Sequence, residues 1–152
     1  DGSVIDESLE IMLWALNLSD QDNWLFFDEN IQKNVISIND NNFKKLLDEY
    51  KYKATNQNKD ILFDACSKYL DTYEKSLEKY TNILSENISL VDIAILPFIR
   101  QFSLVDDVKF NTTFPNLKRW LKLHLSSNLF ESVMKKYKLW DGKSIVTEKL
   151  IN

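Results

Sequence analysis

The sequence predicts an all-α fold, on three observations. Hydrophobic residues make up 44% and aromatics 12% of the 152 residues, while two Gly and two Pro are too few for a turn-rich β fold. Apolar residues recur at helical spacing along most of the chain. The stretch Ile88-Ser89-Leu90-Val91-Asp92-Ile93 is a complete helix start: Ser89 is an N-cap, Asp92 can reach back to the Ser89 amide, and Ile88 and Ile93 form a hydrophobic staple. A chain of this length fits one domain and buries roughly 70% of its unfolded surface.

Ser3-Val4-Ile5 is short and β-prone and reads as a stub of strand. From Glu7 a helix follows on Leu9, Ile11, Met12, Leu13 and Leu16, with Trp14 beside them. Residues 19–42 alternate polar and aromatic, with many Asp and Asn, and read as loop with short helical pieces. A helix is expected from near Asn42 to Tyr52. A longer one runs from near Asp60 to Leu84, its stripe formed by Ile61, Leu62, Ala65, Tyr69, Tyr73, Leu77, Tyr80 and Leu84. The helix from Leu90 to about Leu104 is apolar almost all round, which marks a central helix, and Pro97 inside it frees the Ile93 carbonyl and predicts a kink. Pro115 opens the next helix, to near Leu125, and another spans about Asn128 to Tyr137. The tail from Gly142 onward is expected to be disordered.

Composition excludes several functions. Nineteen basic against twenty-three acidic side chains leave a net charge of −4, which is not the footprint of a nucleic-acid binder. Cys66 is the only cysteine, so the chain makes no internal disulfide and no thiolate metal cluster, and a reducing compartment fits it. No apolar run approaches bilayer length and the first residues do not form a signal peptide, so a membrane partner is not expected and the three Asn-x-Ser/Thr triplets are chance matches.

The capping box continues into Ala94-Ile95-Leu96-Pro97-Phe98 and Phe98-Ile99-Arg100-Gln101-Phe102. Phe114-Pro115-Asn116-Leu117-Lys118-Arg119-Trp120-Leu121 and Phe130-Glu131-Ser132-Val133-Met134-Lys135-Lys136-Tyr137-Lys138-Leu139-Trp140 follow. In these motifs the chain resembles the helical C-terminal domain of cytosolic glutathione S-transferases, most of all bacterial ones. It departs from them in lacking the glycine often found before the capping box, where Leu84-Ser85-Glu86-Asn87 stands. Asp6-Glu7-Ser8 is similar to the acidic-Ser pair that opens the third helix of that family's thioredoxin-like half.

The resemblance implies a C-terminal-like helical bundle over residues 19–141, a remnant strand and helix of a thioredoxin-like domain over 1–18, and a tail over 142–152. It implies a cytoplasmic parent enzyme that transfers glutathione to, or exchanges it with, an unknown small electrophile or a disulfide, and it allows a homodimer. Glu7 and Ser8 would hold the γ-glutamyl end of glutathione, the one cofactor-like partner expected, at a helix N-terminus where free amides favour a carboxylate. The family's catalytic residue and its cis-proline have no counterpart here, and Asp1 is not an initiator Met, so the chain is expected to be an inactive fragment of a longer enzyme. The alternative is a non-catalytic interaction module, since this helical half also serves in protein assembly.

Other residues invite chemistry and are better explained by structure. His124, the only histidine, has no carboxylate or nucleophile placed with it and reads as a surface or boundary residue. Cys66 beside Ala65 reads as a packed small hydrophobe. Arg100 on the apolar central helix needs a partner, and Asp106 and Asp107 predict an ion pair with it. Lys118, Arg119, Lys122, Lys135, Lys136 and Lys138 read as solvated faces. Trp24, Phe26 and Phe27 could wall a substrate pocket, but core packing is the simpler reading. Ser76-Leu77-Glu78-Lys79 lacks the companion elements of a penicillin-recognising site, and Asp20, Asp22 and Asn23 lack the glycine and glutamate of a calcium loop, so no metal is assigned.

Overall fold

The computed structural model describes residues 4–136 and 139. Eight α-helices run along them: α1 Ser8–Leu18, α2 Glu29–Ile38, α3 Lys44–Lys53, α4 Lys59–Leu77, α5 Leu90–Ser103, α6 Asp107–Thr113, α7 Pro115–Leu125 and α8 Asn128–Val133. Val4 and Ile5 form no strand, and no strand occurs among the described residues. The expected stub is not formed over Val4 and Ile5 because β-prone residues need a paired backbone, which they do not find here; Ser3 lies outside the described residues. The helix expected to reach Tyr137 ends early, at Val133, with Met134 as its C-cap; Tyr137 itself and the tail from Gly142 lie outside the described residues.

The core gathers around α5. Val91, Ile95 and Ile99 are fully sequestered, and α2, α3, α6 and α7 all pack against this helix. It runs unbroken through Pro97, whose ring faces solvent. Phe102 near its end stands within an aromatic cluster: its centroid lies 5.9 Å from Phe43, 5.5 Å from Tyr50, 5.2 Å from Phe63, 6.0 Å from Phe110 and 6.4 Å from Phe114. Such pairs add to simple burial when offset or edge-on.

Three expected boundaries are corrected. Residues 19–42 are not mainly loop: α2 joins α3 through a π-helical turn, Asn39–Phe43, into one helical run from Glu29 to Lys53. The Asn-rich segment reads as turns, but burial of Ile36, Phe43, Leu47 and Tyr50 on one side holds it helical, and the extra residue of the π turn keeps that stripe in register. Second, α4 stops at Leu77, seven residues early. Its buried stripe is Phe63, Cys66, Leu70, Tyr73 and Leu77, while Ile61 and Tyr80 are exposed. Third, α6 was not expected. Asp106 caps it by accepting from the Lys109 amide, and Phe110 anchors it in the core.

Residues 78–89 form an irregular connection held by side chains. The Ser76 hydroxyl donates to the Ile83 carbonyl, Asn82 Nδ2 donates to the Glu86 carbonyl, and the Glu86 carboxylate accepts from the amide and hydroxyl of Thr81. At its end the capping box forms as expected. Asp92 does more than close it. One carboxylate oxygen accepts from the Ser89 amide and hydroxyl at 2.9 and 2.8 Å; the other accepts from the Ile83 amide at 2.9 Å and the Trp120 indole N–H at 3.0 Å. One buried side chain thus ties the connection, the start of α5 and α7 together.

The end of α4 is clipped to the start of α7 by two contacts. The Glu74 carboxylate accepts from the Asn116 and Leu117 amides, each at 2.8 Å, in the first turn of α7, where a negative charge complements the helix dipole. Arg119 donates to the Leu77 carbonyl at the end of α4, so one of the basic residues expected to be merely solvated serves as a C-terminal cap.

Candidate functional site

Helix α1 begins at Ser8 with Glu7 as its N-cap, and both side chains are exposed. No side chain caps this helix, whereas Asp28, Asp106 and Ser127 cap α2, α6 and α8. The first-turn amides of α1 are therefore left for solvent or for an anion, with the Ser8 hydroxyl beside them.

The helix is apolar on two sides. Leu9, Met12, Leu13 and Leu16 pack against the core, yet no residue of α1 is buried, and Ile11, Trp14 and Leu18 stand 46%, 55% and 70% exposed. Their i, i+3, i+7 spacing makes one outward stripe. A helix with core on one side and an apolar stripe on the other has the pattern of an inner layer.

At the far end of α1 the chain turns. Asp20 accepts from the Trp24 and Leu25 amides at 2.7 and 2.9 Å, and Asn23 takes the left-handed conformation (φ 54°) that asparagine tolerates. The Trp24 carbonyl accepts from the Leu90 amide, fixing this turn to the start of α5. Trp24 is half-buried and walls a cavity of about 500 Å³ with Ile93, Leu96, Phe130 and Val133; Asp22 stands in its lining and His124 is a further wall. Phe26 and Phe27 meet edge-on at 5.8 Å and do not line this cavity. Core packing thus does not account for Trp24. The structure does not bring this cavity together with Glu7 and Ser8: neither lines it, and α1, eleven residues or about 16 Å of helix, intervenes in the chain.

His124 is not at the surface. It is 6% exposed, packs edge-on to Trp120, and its Nε2 lies 3.0 Å from Asn82 Oδ1. Helical spacing with Trp120 and Leu117, both buried, is the sequence signal for this placement. Burial lowers its pKa from the usual 6.5, opposed by the nearby Asp92 charge. The unfolded chain then binds a proton that the folded chain resists. Stability is whole above pH 6.5 and falls as pH drops from there toward the folded pKa. Urea melts of the native protein should show this loss, and His124→Gln should flatten it in that window; a variant with the same pH slope would contradict the assignment.

Arg100 makes no ion pair among the described residues. Its guanidinium lies 5.7 Å from the centre of the Phe130 ring, because Asp106 is taken by the α6 cap and by Lys59 at 2.8 Å, contacts that hold its carboxyl below the usual range. Cys66 is fully buried and its thiol is pushed up to about 12, by burial first and then by Glu49, so it carries no nucleophile. No cluster of potential metal ligands occurs among the described residues, and no helix there is long and apolar enough to cross a membrane.

Comparison with known proteins agrees with the helical fold. Elongation factor 1-gamma 1 of Saccharomyces cerevisiae is 31% identical over 83 residues, which are 54% of this chain, and the chain spans only 20% of that relative's length. No solved structure matches. The family model described as "Glutathione S-transferase, C-terminal domain" matches residues 32–128, more than half of the chain, and covers the helices from α2 through α7. The chain therefore belongs to the glutathione S-transferase C-terminal domain family.

Proposed function

We propose that this domain is the helical half of a cytoplasmic, glutathione-dependent transferase, in which Glu7 and Ser8 at the head of α1 hold the γ-glutamyl end of glutathione. The parent enzyme transfers glutathione to an electrophile, or exchanges it with a disulfide, and residues 1–18 belong to its thioredoxin-like part. The observation that carries this reading is α1 itself: an uncapped N-terminus with Ser8 beside it, on a helix whose outward stripe of Ile11, Trp14 and Leu18 asks for another layer. A sheet laid on that stripe would set the helix end firmly, and a homodimer of such an enzyme is part of the proposal. The division at residue 18, with the tail from 142, follows from it.

The chain by itself supplies anchors for one end of glutathione and no thiol-activating group, so it has no transferase activity. Amide NMR titration tests the site. Millimolar glutathione should shift the Ser8, Leu9 and Glu10 resonances, and cysteinyl-glycine, which lacks the γ-glutamyl group, should not. Equal shifts with both, or none with either, would contradict the proposal.

A second reading, a non-catalytic interaction module, draws on the likeness to a protein named as an elongation factor rather than a transferase. A strand ending in Cys, Ser or Tyr upstream of α1 in the gene would favour the enzyme over it.

A further inference from the structure

The glutathione anchors and the Trp24 cavity leave one corner of the molecule without a role, where the ends of α3 and α5 meet α6 and α7. We propose that this corner is a docking surface for a partner protein that presents an acidic amphipathic helix. The surface lies on helices that hold neither Glu7 nor Ser8, so it stands whether the parent is a transferase or an interaction module.

The groove at its centre is walled by α6, α7 and the end of α5. It holds about 400 Å³ over an apolar floor of Leu104, Phe110, Leu121 and Leu125. On α7, Lys118, Leu121, Lys122 and Leu125 stand at i, i+3, i+4 and i+7, so one face of that helix turns to the groove. Lys118 and Lys122 are exposed, one turn apart, and make no ion pair among the described residues, whereas Lys33, Lys51, Lys59 and Lys109 each have an Asp or Glu. Asp107 at the mouth stands in the first turn of α6, where the helix dipole offsets part of its charge, so the rim stays basic. On a chain of net charge −4, two unpaired cations beside an apolar groove favour a partner whose carboxylates flank an apolar stripe.

The width of the apolar surface calls for a protein and not a small molecule. Leu104 is 69% exposed and also walls a second hollow, of about 370 Å³, with Tyr52, Val105 and the hydrogen-bonded Lys51 and Gln101. Tyr52 is 75% exposed, and Val108, three residues before the groove residue Asn111 on α6, is 70% exposed. Such a run of exposed apolar side chains marks an interaction surface. A ligand small enough to lie in the first groove leaves Tyr52 and Val108 in water. A helix anchored through i, i+4 and i+7 spans about two turns and can cover them as well. A flat bilayer fills neither hollow.

The probes are two synthetic amphipathic helices that share one stripe of leucines, the first flanked by Glu and the second by Lys. By fluorescence anisotropy the acidic helix should bind the native chain about tenfold more tightly than the basic one, the scale of two surface charge pairs. Lys118→Glu combined with Lys122→Glu should reverse that preference. Should the double variant fail to fold, Leu104→Gln, at an exposed position, decides: it should weaken the acidic helix about fivefold, the scale of one partly buried leucine. Amide NMR should place the acidic helix on Leu104, Val108 and Lys122 and leave Ser8, Leu9 and Glu10 unmoved, so failure here is distinct from failure of the glutathione site. No binding of the acidic helix, equal affinities for the two, binding indifferent to Leu104→Gln, or shifts elsewhere would each overturn the proposal. So would phosphatidylserine vesicles held through Lys118 and Lys122, which would make the corner a membrane surface, or decanoate bound more tightly than the acidic helix, which would make it a site for a small organic anion.

Discussion

Asp92→Ala should destabilise the domain by on the order of 4 kcal/mol, the largest effect expected of any single polar substitution. The carboxylate is fully buried and satisfies the Ser89 amide and hydroxyl, the Ile83 amide and the Trp120 indole. Removing it orphans donors on three separate segments, and an unpaired buried donor costs about 1–3 kcal/mol. An ordinary capping-box residue is worth about 1 kcal/mol. The excess over that figure measures the tie to Ile83 and Trp120. Urea denaturation gives the value, and a shift no larger than that of a simple cap would show that these two contacts are dispensable.

Phe102→Ala should cost about 3–5 kcal/mol through the cavity it leaves. Phe102 is 1% exposed and touches rings from the π turn, α3, α4, α6 and the start of α7, so no single neighbour can move in to fill the void. Val108→Ala, at a position 70% exposed, should change stability by less than about 0.5 kcal/mol and serves as the control. Similar denaturation midpoints for the two variants would mean that the aromatic cluster is not the centre of the core.

What was legible in the sequence was what local spacing encodes. The start of α5 at Ser89 and Asp92, the all-round apolar character of that helix, and Pro115 at the head of α7 each depend on residues within one turn of each other. The failures depend on neighbours distant in sequence. Nothing local shows that Arg119 reaches Leu77, that Glu74 caps α7, or that Asp106 is taken by Lys59 and leaves Arg100 to Phe130. The Asn-rich approach to Phe43 misleads for the same reason, because burial of Ile36 and Phe43 outweighs the turn preference of asparagine. Of the candidate site, Glu7 and Ser8 are legible through family resemblance and stand at the head of a helix; the cavity is half legible, since Trp24 reads as a possible pocket wall and His124 reads as a surface or boundary residue.

In the proposed function, Glu7 and Ser8 form one part of a glutathione site completed by a thioredoxin-like half. Two anchors on a helix without its covering sheet are not preorganised, so most of the binding free energy should be missing from this chain. Titration calorimetry with glutathione on two proteins tests this: the chain as it stands, and the chain carrying a thioredoxin-like half ahead of residue 1. The first should bind in the millimolar range at best, about −4 kcal/mol, and the second far more tightly, with that binding lost in Ser8→Ala. Tight binding by the short chain, or a long form indifferent to Ser8→Ala, would contradict it.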